Sequence, residues 1–343
     1  MHMRTTIAAC AIAVFAAQGA AAQQVSWLSQ SQTQSAQYPI ELEAIQAINE
    51  SGINVLRNEF QALGISMADG LRLVRDGTFN LASIQVGLVA SDDPFLEGID
   101  LIGVSTDMES LEETVDAYRG SFDARLEERF GVKAVAVWPF GGQVFFCNEP
   151  IETLDDLAGM RVRSFTASMS ALLENLGATP ITLAFPEVYP ALQRGVASCG
   201  ITSATSANTG RWPEVTTHLL PLSVSGAIQA HVVNLEWWNG LPEEQRATLE
   251  ENFAAMEEAL WTLANETSST AIECTTGGSC ESELYGSYDL ELVEVSDTDM
   301  SRLQEIASEV IVSDWVERCE RTYPECGAIW YDTVGAVRGF TAD

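Results

Sequence analysis

Residues 155–202 alternate between short apolar runs and helical patterns, and this order limits the possible folds more than any other feature of the chain. The helical patterns predict helices, and Gly177 gives the first of them a C-terminal signal. Strands are expected at residues 160–164, 179–184 and 197–202, and helices at residues 168–176 and 186–195. A β-α-β-α-β order is typical of a parallel sheet covered by helices, so the stretch predicts an α/β fold.

The same alternation earlier in the chain predicts a second sheet. Strands are expected there at residues 25–28, 53–60 and 80–87, and helices at residues 38–50 and 66–76. Gly141 and Gly142 interrupt an apolar strand pattern, which we interpret as a first crossing between two lobes. A strand at residues 227–234 is expected to cross back, and a long helix is expected at residues 242–274. A chain of 343 residues is long enough for two lobes.

The N-terminus predicts export. A short basic start, an apolar run and three alanines before Gln23 are typical of a cleaved secretory signal, although an uncleaved anchor is the alternative. We therefore assign residues 1–22 to a signal peptide and expect a periplasmic protein. The expected domain boundaries place residues 23–140 and 229–270 in lobe 1, and residues 141–228 and 271–343 in lobe 2.

The charge balance argues against a nucleic-acid partner. The chain has 17 basic and 49 acidic residues, a net charge of −32. Nucleic acids require a basic surface, so no nucleic-acid partner is expected. The acidic residues are spread along the chain, which indicates a highly soluble surface.

Six cysteines follow the predicted signal peptide, and an even number in an oxidising compartment indicates disulfides. Fifteen pairings are possible. Proximity favours Cys274 with Cys280 and Cys319 with Cys326, which leaves Cys147 and Cys199 for each other. The mature chain has two histidines, His218 and His231, and no Cys-x-x-Cys, so no metal site is expected.

No catalytic or cofactor motif occurs in the chain, so we expect neither an enzyme nor a cofactor. His218 and His231 are expected to be structural, and the alternative is an exported hydrolase with a site at His231.

Arg161 and Arg163 occupy alternate positions of one predicted strand, so their side chains can lie together on one face. Arg163 ends the strand, where loops build sites. Its planar guanidinium matches a carboxylate in a bidentate manner. The alternative is an ion pair with Asp155, Glu187 or another acid of this acid-rich chain, and residue chemistry alone leaves both interpretations open.

Three further residues are candidates for the same site. Phe185 and Thr202 stand at strand ends, where ligands of α/β sheets bind, and Phe185 either walls a ligand or belongs to the core. Gln143 follows the predicted crossing and either offers its amide to the ligand or pairs with backbone.

Three motifs in order resemble the substrate-binding proteins of tripartite ATP-independent periplasmic (TRAP) transporters, the DctP type. That family shows D-L-x-G-x-K-x-R, L-G-A-x-P and F-x-E-V-Y-x-A-L-Q-x-G. The corresponding segments here are DDLAGMRVR at 155–163, LGATP at 176–180 and FPEVYPALQRGV at 185–196.

The resemblance implies a two-lobed periplasmic binding protein fold. Each lobe would contain a mainly parallel sheet flanked by helices, and a long helix would span both lobes. It implies a monomer that closes around a small organic acid and delivers it to the TRAP membrane permease. An alternative role is a solute receptor for a sensor system.

The family's carboxylate clamp falls on Arg163. Its aromatic residue falls on Phe185, and its polar residue after the third motif falls on Thr202 in place of the usual asparagine. Gln143 and Gln30 match two further polar positions. An arginine is absent at the position of Gln143, which argues against a dicarboxylate or a sialic-acid-like ligand. The sequence leaves open a monocarboxylate, a dicarboxylate or an aromatic acid.

Overall fold

The computed structural model describes residues 24–31 and 36–342. The predicted signal peptide lies outside this part of the chain. Within the described residues, no helix combines the length and apolar character needed to cross a membrane.

Eleven strands occur in the described residues. In chain order they are β1 Gln24–Ser29, β2 Asn54–Glu59, β3 Leu81–Gln85, β4 Val132–Pro139, β5 Gln143–Cys147, β6 Arg161–Ser164, β7 Thr179–Thr182, β8 Cys199–Ser203, β9 His218–Leu220, β10 Ile228–Asn234 and β11 Glu291–Leu292.

The strands form two sheets that match the alternation predicted from the sequence. The first has the order β2-β1-β3-β10-β4, and the second has the order β11-β9-β5-β8-β6-β7. Strand β10 is antiparallel to both of its neighbours, and so is β5 in the second sheet. The other pairs are parallel. Mainly parallel sheets are therefore confirmed, with one reversed strand in each, next to a crossing between the sheets.

Helices surround both sheets. They are α1 Tyr38–Glu50, α2 Phe60–Leu63, α3 Gly70–Arg75, α4 Val86–Val89, α5 Met108–Phe130, α6 Ala167–Asn175, α7 Phe185–Gln193, α8 Ala204–Thr209, α9 Leu235–Asn239, α10 Glu243–Thr275, α11 Asp297–Ile306, α12 Val312–Glu320, α13 Cys326–Trp330 and α14 Ala336–Arg338. Short 3₁₀ turns include Pro94–Ile99 and Trp212–Glu214, and π-helical turns at Ala307–Ile311 and Tyr331–Gly335 extend the C-terminal helices.

Two adjacent connections join the sheets. Residues 140–142 lead from β4 into β5, and residues 221–227 lead from β9 back to β10. The connections are bonded to each other, because the Phe140 amide donates to the Gly226 carbonyl (3.0 Å) and the Gln143 amide donates to the Ser225 carbonyl (2.8 Å). Gly141 has a φ of 104°, a left-handed backbone that glycine adopts without a Cβ clash.

The long helix α10 contacts both units, as expected. The Glu257 carboxylate accepts from the Val137 amide of β4 (2.9 Å). Near the other end of the helix, the Thr275 hydroxyl accepts from the Asn208 side chain of α8 (3.1 Å). This helix is a third link between the sheets.

The C-terminal helices also contact both units. The indole nitrogens of Trp315 and Trp330 donate to the carbonyls of Pro94 and Gly98 beside the first sheet (2.7 and 2.8 Å). The Asp299 carboxylate accepts from the Leu154 amide beside the second sheet (2.9 Å). The lobe boundaries given above stay predictions.

Three disulfides are present, and they are the pairs that proximity favours: Cys147–Cys199, Cys274–Cys280 and Cys319–Cys326. Cys147 and Cys199 face each other on the antiparallel strands β5 and β8. Both are fully buried, whereas Cys280 is partly exposed.

Exposure predicts the order in which the disulfides are reduced. Thiol exchange requires access to sulfur, so a mild reductant should open Cys274–Cys280 while the fold is intact. Alkylation followed by mass spectrometry should find labelled Cys280 well before Cys147 or Cys199. Equal labelling rates for all three pairs would contradict this order.

Candidate functional site: a cavity around a buried arginine

A cavity of about 410 Å³ lies between the two sheet units, and both units line it. The first unit contributes the segment after β1 and residues around α2 and α4. The second unit contributes the ends of β6 and β8 and the start of α7. Phe140 and Ala227, from the two connections, complete the lining. The cavity thus lies where movement about the connections would change its width.

All five residues predicted from the sequence line this cavity. They are Gln30, Gln143, Arg163, Phe185 and Thr202. Arg163 and Thr202 lie near the ends of the parallel strands β6 and β8, and Phe185 begins α7 just after β7. The structure therefore brings together residues that are far apart in the sequence.

Arg163 is the charged residue of the described lining. Its side chain is buried, with 4% of the residue exposed. Its Nε donates to the Leu183 carbonyl (3.2 Å), and its Nη1 donates to the Ile201 carbonyl (2.7 Å). These bonds fix the plane of the guanidinium. The third nitrogen, Nη2, has no hydrogen-bond acceptor among the described residues.

No carboxylate of the described residues forms an ion pair with Arg163. The alternative partners Asp155 and Glu187 do not contact it, and the Glu187 carboxylate instead accepts from the Ala184 amide at the start of α7 (3.0 Å). Burial lowers the pKa of the Arg163 guanidinium to about 9, so the group is still charged at neutral pH. A buried cation without a counter-charge is costly to fold, and an anion in the cavity would relieve that cost.

Aromatic rings surround the guanidinium. The Phe165 ring lies 4.5 Å from the Arg163 carbon Cζ, and the Trp212 ring lies 5.9 Å from it. Trp212 in turn stacks on Phe185, with ring centroids 5.3 Å apart. Cation–π contacts of this kind stabilise a charged arginine where water is scarce.

Gln143 and Thr202 are buried polar residues of the same wall. The Gln143 side-chain nitrogen donates to the Gly141 carbonyl (2.8 Å), so this amide both pairs with backbone and faces the cavity. Its oxygen and the Thr202 hydroxyl have no hydrogen-bond partner in the described part of the chain, so both are available to a ligand.

On the opposite wall, an ion pair holds the backbone of Gln30. The Arg57 Nη2 donates to the Gln30 carbonyl (2.6 Å), while its Nε pairs with the Glu41 carboxylate (2.5 Å). Glu41 also accepts from the Ser29 hydroxyl (2.5 Å). This network fixes the end of β1 at the edge of the cavity.

The structure separates Arg161 from Arg163 and places His231 away from the cavity. Arg161 does not join Arg163, because its side chain is exposed and donates to the carbonyls of Gly195 and Val196 after α7. On one face of β6, the residue at the start of the strand is therefore exposed, whereas the residue near its end lines the cavity. His231 is buried outside the cavity lining, and its Nδ1 accepts from the Trp138 indole (3.0 Å).

Sequence reasoning missed several lining and supporting residues. Phe60, Met67, Gln85 and Leu88 of the first unit line the cavity, and no motif marked them. For Trp212 the sequence does contain an indirect signal, which is the glycine at position 200 within β8. A Cβ at Gly200 would lie 2.7 Å from the Trp212 ring, and a glycine inside a strand often marks such a close approach.

Residues 67–306 match the family described as bacterial extracellular solute-binding protein, family 7 (DctP). A C4-dicarboxylate-binding periplasmic protein of Rhodobacter capsulatus is 29% identical over 178 residues, which cover 52% of this chain. The match spans 54% of that relative, about half its length. An ectoine-binding periplasmic protein of Halomonas elongata is 26% identical over 43% of this chain and 44% of its own.

Solved structures show the same fold. A Bordetella pertussis extracytoplasmic solute receptor that binds pyroglutamic acid has a TM-score of 0.77 at 18% identity, covering 92% of this chain and 100% of its own. A TRAP solute-binding protein from Rhodoferax ferrireducens with bound malonate has a TM-score of 0.78 at 16% identity, covering 92% and 98%. The described structure is thus a two-lobed α/β fold, and the chain belongs to family 7 of the bacterial extracellular solute-binding proteins.

Proposed function

We propose that this protein is the periplasmic solute-binding subunit of a TRAP transporter, and that it captures a small organic acid with Arg163. The observation that carries this proposal is a buried, charged guanidinium that lines a cavity and has no carboxylate partner among the described residues. The family supports the role of a receptor. Similar proteins have bound pyroglutamic acid, malonate and succinate, all of which carry a carboxylate.

Binding follows from the geometry. A ligand carboxylate would meet Arg163 at the second unit, with Gln143 and Thr202 beside it and Phe185 as a wall. Movement about residues 140–142 and 221–227 would then bring Gln30 and the first unit onto the ligand. Closure removes water and strengthens the ion pair, so a ligand that contacts both units shifts the population to the closed state.

The closed form would deliver the acid to the membrane permease, and the protein would reach the periplasm as a monomer by means of the signal peptide at residues 1–22. We propose a binding role and no catalysis. A hydrolase centred on His231 is disfavoured, because this buried imidazole lies outside the cavity lining and its Nδ1 is occupied by Trp138.

Replacing Arg163 tests the clamp. Arg163→Ala should weaken binding of the acid by roughly 100-fold or more, because a charged ligand would lose its partner in a dry site. Thermal stability should stay similar, since the substitution also removes a desolvated charge. Isothermal calorimetry gives the affinity, and a melting curve gives the stability.

Arg161→Ala is the matched control, because Arg161 lies two residues away on the same strand and is exposed. Its affinity should equal that of the unmodified protein. An unchanged affinity in Arg163→Ala, or an equal loss in both variants, would refute the clamp.

The pH dependence of binding should follow the lowered pKa of Arg163. Affinity should be constant between about pH 7 and 8, where Asp100 beside the cavity (pKa raised by burial to about 6) is already ionised, and should fall above about pH 9, where the free protein loses the guanidinium proton. The same shift makes the contribution of Arg163 to folding stability rise with pH above about 9, because in the unfolded chain this guanidinium keeps its proton up to the higher pKa that is ordinary for arginine. Calorimetry across this range measures the affinity, with circular dichroism as the control for folding. An affinity that falls steadily between pH 7 and 8 would contradict this assignment.

A further inference from the structure

We propose that the cavity selects a carboxylate with a single negative charge and an apolar body, and that it rejects both dicarboxylates and amino acids. This inference rests on the proposed function, because it assumes that Arg163 holds the ligand.

The lining holds one charge. Among the described lining residues, Arg163 is the only charged side chain, and the others are apolar or neutral polar. One buried cation neutralises one carboxylate.

A second carboxylate would be buried without a cation. The carboxylate of Asp100, beside the cavity, makes this worse. Asp100 and Glu97 line a small adjoining cavity that shares Gln85, Phe165 and Ala227 with the large one. Burial raises the pKa of Asp100 to about 6, so this carboxylate is ionised at pH 8 and repels another anion.

A ligand ammonium would lack an anionic partner among the described lining residues. The described lining contains no aspartate or glutamate, and the carbonyls of Leu183 and Ile201 already accept from Arg163. The two oxygens of Asp100 accept from the backbone amides of Gly226 and Ile228 (3.1 and 3.2 Å). In an α-amino acid the ammonium is next to the carboxylate, so it would also face the Arg163 guanidinium and be repelled.

The walls fit an apolar body. Phe60, Met67 and Leu88 line the cavity from the first unit, and Phe165 and Phe185 line it from the second. A ligand that fills the space between these side chains removes apolar surface from water in both units, which favours the closed state. The Gln143 oxygen and the Thr202 hydroxyl can hold one uncharged polar substituent on such a ligand.

Two matched ligand series test this charge rule with the full mature protein at pH 8. The first comprises 3-phenylpropanoate, phenylalanine and benzylmalonate, which differ only by a hydrogen, an ammonium or a carboxylate on one carbon. The aliphatic series comprises 4-methylpentanoate, leucine and isobutylmalonate, and succinate is added as a small dicarboxylate. Affinities come from calorimetry with the unmodified protein and with Arg163→Ala.

In at least one series the monocarboxylate should bind about 100-fold more tightly than both of its charged relatives and more tightly than succinate, and Arg163→Ala should abolish this binding. A malonate, succinate or amino acid that binds as tightly as the monocarboxylates would overturn the inference. If Arg163→Ala abolishes that binding as well, the proposed clamp stands and only the charge rule fails. If no acid of the panel binds to the unmodified protein, both the charge rule and the proposed function are contradicted.

Discussion

The site depends on one constraint, the burial of a guanidinium without a counter-charge. Arg163 is 4% exposed, and its polar contacts in the described structure are two backbone carbonyls. Such an arrangement is unfavourable unless neighbouring groups compensate for it. The carbonyls of Leu183 and Ile201 and the rings of Phe165 and Trp212 provide part of this compensation. A ligand anion would provide the rest, which links the stability of the closed form to binding.

The fold places the Arg163 guanidinium in the cavity between the two sheet units, where a movement of one unit against the other would change its surroundings. Arg163 belongs to the second sheet, Gln85 belongs to the first sheet and Gln30 directly follows its strand β1, and the cavity lies between them. Two hydrogen-bonded connections and the long helix α10 join the units. The two connections run side by side, and in the proposed mechanism they bend together while both sheets keep their strand pairing. In this account, the ion network of Arg57 and Glu41 keeps the far wall rigid so that closure brings a defined surface onto the ligand.

Much of the fold could be predicted from the sequence, because local patterns determine it. The β-α-β-α-β order in residues 155–202, the helix α1 at Tyr38–Glu50 and the long helix α10 follow from periodicity and glycine signals. The two reversed strands, β5 and β10, could not be inferred from periodicity, because strand direction is set by pairing between distant segments.

The candidate site, like the fold, could be predicted from the sequence only in part. Arg163, Phe185 and Thr202 were identifiable as strand-end residues, but their roles as ligand contacts stay proposals. Trp212 and Gln85 reach the site only through tertiary packing, so local sequence gave no functional signal for them beyond Gly200. The difference between Arg161 and Arg163 likewise depends on what packs over each end of β6.

The most direct test of the clamp is a crystal structure of the protein with the acid that binds it most tightly. The account predicts that both carboxylate oxygens lie about 3 Å from nitrogens of the Arg163 guanidinium, with the rest of the ligand between the two units. A ligand whose carboxylate is held elsewhere, with Arg163 in contact with no ligand atom, would contradict the account.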